Sequence, residues 1–172
     1  SRRKKSDVRF DVVGVCDEVN SWLGMVLAEL HRLPDHEDGG ERTNVQRVQT
    51  VLNEALVRVQ NELFDLGAEL ACPPATLPEY MVLLSQEQTD VLMAEMDAWL
   101  ASLPPLTSFI LPAGSPPVAN MQVTRTVVRR LERAIVRLVD HEGEDAVRPL
   151  VLVYVNRLSD WFFVMGRWVS MM

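Results

Sequence analysis

Residues 124–139, TRTVVRRLERAIVRLV, decide the fold. Val127, Leu131, Ala134, Ile135 and Leu138 recur at three- and four-residue steps, which lines them up along one face of an α-helix. The same segment carries five arginines, and Arg125, Arg129, Arg133 and Arg137 follow one another at intervals of four. Like charges on adjacent turns repel by about 0.2–0.5 kcal/mol per pair. Glu132, three residues after Arg129, can pair with one arginine but cannot neutralise five. Two readings follow. The arginines form a solvated face laced with local pairs, or they await a polyphosphate, whose oxygens match the guanidinium fork bidentately.

The same periodicity extends outward along the chain. A first helix is expected from about Asp7 to Leu33 on Val12, Val15, Val19, Trp22, Leu23, Val26 and Leu30, and the polar stretch PDHEDGGERTN stops it. A second, from about Val45 to Leu70, carries Val48, Leu52, Leu56, Val59, Leu63 and Leu66. The proline-punctuated ACPPATLPEYMVLL reads as a connection holding a short turn of helix. A third helix, about Ser85 to Leu103, opens with the spacing of a capping box at Ser85. Next, LPPLTSFILPAGSPP sets SFIL between prolines in a rigid irregular loop, with FIL the sole candidate strand. The arginine helix then runs from near Pro117 to about Val139, where HEGED breaks it. A fifth helix, about Ala146 to Met171, is apolar nearly all round and is expected centrally. Long amphipathic helices with short connections define an all-α, up-and-down five-helix bundle occupying residues 1–172 as one domain.

Composition removes several function classes. The 172 residues are 48% hydrophobic and 24% charged, an ordinary globular profile. A net charge of −7 leaves only the arginine helix and the SRRKK start as basic surface, so no nucleic-acid partner is expected. Arg157, Asp160 and Arg167 interrupt the apolar C-terminal run, which argues against a membrane span. No long apolar stretch follows SRRKK, so no signal peptide is expected. Cys16 and Cys72 form no metal or redox motif, which suits a reducing compartment. His31, His36 and His141 have no ligand spacing, and no phosphate-binding glycine loop occurs, so no protein-held metal is expected.

Three further features are chemically open. Asn156 and Asp160 of NRLSDWFF sit one turn apart on an apolar helix, with Arg157 within local reach of Asp160; they form a core hydrogen-bond network or contact a ligand. Asp17 and Glu18 interrupt the pattern of the first helix, and Asp17 is a surface carboxylate unless a cation from another helix reaches it. Phe109 plugs the core or offers an aromatic wall to a large flat ligand.

GVCDEVNSWLG, VQNELFDLGAELACP, LPPLTSFILPAGS, VTRTVVRRLERAIVRL and YVNRLSDWFFVMGR, in that order, resemble the PduO-type ATP:cob(I)alamin adenosyltransferases. The resemblance spans nearly the whole chain. It implies a homotrimer of five-helix, ferritin-like bundles with active sites between neighbouring subunits. It implies transfer of the 5′-deoxyadenosyl group of ATP to the cobalt of cob(I)alamin, with release of triphosphate and assistance from Mg2+. By the family pattern, Arg129, Arg130, Glu132 and Arg133 hold the ATP, Asn156 is a further nucleotide contact and Lys5 binds phosphate. Arg125 pairs across to Asp17 on the corrinoid side, and Phe109 keeps the lower face of cobalt free of its axial base. A reductase supplying the Co(I) state and an adenosylcobalamin-dependent enzyme are the implied partners.

Two departures stand out. The family's glycine-rich TGDxGxT segment lies upstream of SRRKK and is not among these residues, and PAGS, with Ala113, replaces the usual PGGS. The rival readings are a non-catalytic cobalamin carrier or helical interaction module, and an all-α nucleotide hydrolase. A scaffold gains nothing from a repulsive arginine cluster, and a hydrolase would want a carboxylate cluster for Mg2+.

Overall fold

The computed structural model describes residues 4–5, 7–34 and 44–171. Of SRRKK only the two lysines fall within these ranges, and His36, with most of the PDHEDGGERTN loop, lies outside the described residues. Five helices follow one another: α1 (Val8–His31), α2 (Asn44–Leu70), α3 (Gln86–Leu100), α4 (Pro116–Glu142) and α5 (Pro149–Ser170). Among the described residues there is no strand, and FIL belongs to an irregular strap over 101–115.

Helix ends follow local chemistry. Asp7 caps α1, its carboxylate accepting from the Arg9 amide at 2.9 Å. Ser85 and Gln88 form the anticipated capping box on α3, with the Ser85 amide donating to Gln88 Oε1 at 2.8 Å. Proline in the first turn starts both α4 and α5, where its missing N–H costs nothing. The arginine helix continues through His141 and Glu142, past the expected stop at Val139, until Gly143 at φ +101° ends it. Pro74–Thr76 supplies the short 3-10 turn expected in the proline-rich connection.

The core stripes expected on α1, α2 and α4 are buried, with Trp22 of α1 only partly so. The fully buried Arg9, at the start of α1, donates to the carbonyls of Leu70, ending α2, and Ala146, preceding α5, and to Glu142, ending α4, each at 2.9 Å. Arg148 binds Glu69 of α2 through two nitrogens, at 2.6 and 2.9 Å, and the Leu84 carbonyl before α3 at 2.8 Å. One end of the bundle therefore gathers the starts of α1, α3 and α5 and the finishes of α2 and α4, which fixes the up-down-up-down-up course.

At the opposite end Trp99 of α3 stacks on Trp168 of α5 and tilts against Trp161, both with centroids 5.6 Å apart. Arg167 holds the base of the strap there, donating to the Pro104 carbonyl at 2.6 Å. Within the bundle, Tyr154 of α5 donates to Glu62 of α2 at 2.9 Å, and Arg58 joins Glu62 to Glu95 of α3. Helix α5 packs against α4 and α3 and reaches α2 through Tyr154. No helix among the described residues is long and apolar enough to cross a membrane.

Candidate nucleotide and corrinoid site

Helix α4 runs between α1 and α5 with its polar face outward, and the arginines distribute over that face. On the α1 flank Arg130 is ion-paired with Glu18, and Arg137 approaches Asp11 at 3.7 Å. On the α5 flank Glu132 accepts from the Asn156 amide at 3.2 and 3.4 Å. Between the flanks, Arg129 and Arg133 are exposed and, among the described residues, have no ion-pair or hydrogen-bond partner. The local pairing of Glu132 with Arg129, open to the sequence, is not formed, because the Glu132 carboxylate turns to the neighbouring helix.

The repulsion anticipated along the run is visible at Arg125. Burial first, then the positive charge of Arg129, push its pKa below the ordinary arginine range. Its Nε donates to Gln122 Oε1 at 2.9 Å. Asp17 is exposed on α1, and within one chain it is not the partner of Arg125. Arg157 pairs with Asp160 at 3.2 Å, as the spacing allows. Asn156 belongs to a polar contact between helices that is only half-buried, with one face toward solvent.

A cleft of about 530 Å³ opens between α1 and α4, lined by Lys5, Phe10, Gly14, Glu18, Arg130 and Arg137 among others. It brings Lys5 and Arg130 together, residues far apart in sequence, while Glu132 and Asn156 lie on the other flank of α4. Phe10, Asp11, Gly14 and Arg137 had no place in the expected site. The helix period places Phe10, Gly14 and Glu18 on one face, and only the packing of α1 against α4 turns that face toward Arg130. Gly14 stands in a helix interior, where glycine costs about 1 kcal/mol relative to alanine.

Phe109 does not plug the core. Its side chain is fully exposed on the strap, beside exposed Ile110 and Leu111. The strap therefore shows solvent a run of three apolar side chains. Ala113, of PAGS, lines a smaller hollow of about 280 Å³ beneath the strap, with Val118 and Gly166. Among the described residues no group of three or more His, Cys, Asp or Glu side chains is arranged to hold a metal ion. Cys16 and Cys72 are free thiols, and burial pushes the Cys16 thiol up to about 12.

Fold and surface together define an all-α bundle that presents a cationic helix ridge beside an open cleft, with an aromatic strap at one end. The profile of the cobalamin adenosyltransferase family matches residues 1–169, and the chain belongs to that family. The corrinoid adenosyltransferase of Mycobacterium tuberculosis is 40% identical over 168 residues, covering 97% of this chain and 78% of that protein. That of Bacillus subtilis is 37% identical over 169 residues, covering 98% and 78%. Among solved structures, an arginine-to-lysine variant of the PduO-type adenosyltransferase from Lactobacillus reuteri, complexed with ATP, superposes with a TM-score of 0.80 at 30% identity, covering 98% of this chain and 85% of that one. A phenylalanine-to-alanine variant of the same enzyme, complexed with cobalamin and ATP, matches equally, covering 83% of that chain.

Proposed function

We propose that the chain transfers the 5′-deoxyadenosyl group of ATP to the cobalt of cob(I)alamin, giving adenosylcobalamin and triphosphate. The observation that carries this reading is the pair of exposed guanidinium groups of Arg129 and Arg133, without a partner among the described residues, in a family with solved relatives that hold ATP and cobalamin. Of the five arginines of this run, Arg130 and Arg137 are answered by α1 carboxylates, and a triphosphate would remove the repulsion that remains among the others.

The reaction asks little covalent chemistry of the protein. The cobalt lone pair forms a bond to C5′, the C5′–O bond breaks, and its electron pair leaves with triphosphate. No proton moves in that step, so no general acid or base is needed. What helps is charge stabilisation at the departing oxygens and alignment of the two substrates. Arg129, Arg130 and Arg133 supply the first, with Lys5 at the mouth of the cleft. Glu132 and Asn156 contact the nucleotide as an acceptor and an amide already held together. Phe109 presents a ring that excludes a ligand from the lower face of cobalt without offering a lone pair, which leaves cob(I)alamin four-coordinate and nucleophilic. Arg125 and Asp17 meet across a subunit boundary, consistent with their separation within one chain.

The described residues do not offer a protein cage for Mg2+. An ion held by the oxygens of ATP itself is compatible with that. The assembly is a homotrimer of single-domain bundles in the cytoplasm, served by a reductase that supplies Co(I) and by an enzyme that consumes adenosylcobalamin.

The test is optical. Protein, Mg-ATP and cob(I)alamin are mixed anaerobically under strong reductant, and light-sensitive adenosylcobalamin is followed. Arg129→Ala is expected to lower kcat/KM about 10²–10³-fold, the usual cost of removing one donor from a developing anion. Unchanged turnover in that variant would sink the nucleotide assignment. Calorimetry adds an independent arm, since a carrier binds the corrinoid alone and a hydrolase the nucleotide alone.

A further inference from the structure

Most buried polar side chains in this bundle are explained by the fold itself. Arg9 and Glu69 tie helix ends together, while Thr124 and Ser159 bond back to the Asn120 and Asn156 carbonyls of their own helices, at 2.7 and 2.9 Å. Gln122 is the exception. It is buried on α4 in a stretch where Val118, Met121, Val127 and Val128 are buried as well. Packing alone does not ask for an amide there, since a methionine fills the same length with no N–H or C=O to satisfy. Among the described residues its side chain has one partner, the Nε of Arg125, which donates to Gln122 Oε1 at 2.9 Å. The amide stands only this way round, because a flipped Gln122 would set its NH₂ group against the Nε–H of Arg125. Gln122 Nε2 is thereby turned toward α5, 3.6 Å from where a Cβ on Gly166 would stand, and both residues line the hollow beneath the strap.

Arg125 is half-buried beside the like charge of Arg129, and among the described residues no carboxylate answers it. Each residue alone weakens the fold, as an amide in an apolar stripe and as a guanidinium in a repulsive row. Together they fix a direction. Donation through Nε sets the plane of the guanidinium and leaves both terminal nitrogens for a partner beyond. A neutral acceptor does this without cancelling the charge. We propose that Gln122 is a positioning residue for the adenosyl transfer: it holds Arg125 by Nε, aims the free guanidinium fork at the corrinoid side, and ties that aim to the wall of the hollow under the Phe109 strap. The inference rests on the reading that Arg125 serves the corrinoid side.

The test compares Gln122→Met, Gln122→Glu and Arg125→Met with the parent, all in the full chain, and adds the Gln122→Met, Arg125→Met double variant. KM for ATP, KM for cob(I)alamin, kcat and the thermal midpoint are measured. Gln122→Met fills the same space without the acceptor and is expected to raise KM for cob(I)alamin about tenfold, with KM for ATP within about twofold of the parent. Its midpoint should stay within about 3 °C, because water can serve the half-buried Arg125 Nε. Gln122→Glu restores an acceptor at the same reach and should bring KM for cob(I)alamin back to within about threefold of the parent. In the Arg125→Met background Gln122→Met should add nothing, since a residue that acts through Arg125 has no effect once Arg125 is gone. An unchanged KM for cob(I)alamin in Gln122→Met overturns the inference. So do equal rises in both KM values, a collapse of the midpoint, a glutamate that fails to rescue, and losses that simply add in the double variant. If Arg125→Met itself leaves KM for cob(I)alamin unchanged, or the parent forms no adenosylcobalamin, the underlying reading falls and takes the inference with it, an outcome distinct from the others.

Discussion

Two sets of arginines in this chain behave in opposite ways. Arg9 and Arg148 lie among the helix ends, each tied to a carboxylate and at least one carbonyl. Arg129 and Arg133 stand exposed on α4 with no protein partner among the described residues. The side chain is the same; only the surroundings differ. The buried Arg9 is held because both terminal nitrogens of its guanidinium are answered by oxygens, and removing one partner from such a pair is costly. Exposed guanidinium groups with no partner among the described residues cost some repulsion, and the proposed function answers it with an anion from solution.

The sharpest way to break the contrast is Arg9→Met. It takes the donor from the Leu70 and Ala146 carbonyls and one cation from Glu142, and should lower the unfolding free energy by roughly 3–5 kcal/mol, read from urea melts. Arg133→Ala should stay within about 0.5 kcal/mol of the parent in the same melts. A large loss there would show that the ridge is structural after all. Phe109→Ala carries the comparison to an apolar residue: with the ring fully exposed, stability should again hold within about 0.5 kcal/mol. Adenosylcobalamin formation should nonetheless fall tenfold or more, a drop of about 1.4 kcal/mol in transition-state stabilisation.

A subtler effect tests the buried polar contact between α2 and α5. Burial is the largest influence on Glu62 and raises its pKa, opposed by the Tyr154 hydroxyl and Arg58. The unfolded chain gives up that proton at lower pH than the folded chain. Between the two values the folded state binds more protons, so stability falls as pH rises through the interval. Glu62→Gln should remove that slope, and Tyr154→Phe, which takes away a bond favouring the charged form, should steepen it. Melts across the mildly acidic range would show both. Smallest of all, Cys16, buried and with its thiol pushed up to about 12, should resist alkylation in the native state, while half-buried Cys72 reacts first.

Most of the architecture was legible because it is written in periodicity. The apolar stripes of α1, α2 and α4 predicted their buried faces, and the Ser85 capping box predicted the start of α3. The end of α4 was placed too early because His141 and Glu142 read as a break, whereas the φ-permissive Gly143 is what stops the helix. The site was legible only along single helices. Arg129, Arg130 and Arg133 are visible as a run, but nothing local foretells that Glu132 turns to Asn156, that Arg130 meets Glu18, or that Phe10 and Gly14 share their cleft. Those are outcomes of helix-to-helix rotation, set by core contacts scattered across the chain. Arg9 escaped notice for the same reason: a lone arginine near a helix start reads as surface until three other elements close over it.

The stacked indoles at the base of the strap have a use apart from packing. Trp99, Trp161 and Trp168 crowd together where Arg167 grips Pro104, leaving Trp22 of α1 as the fourth tryptophan of the chain. Corrinoids absorb strongly where indole emits, so a macrocycle settling over Phe109, as proposed, would drain emission from that cluster by energy transfer. On that reading the protein carries its own ruler for corrinoid arrival, and no label needs to be attached to follow occupancy in real time.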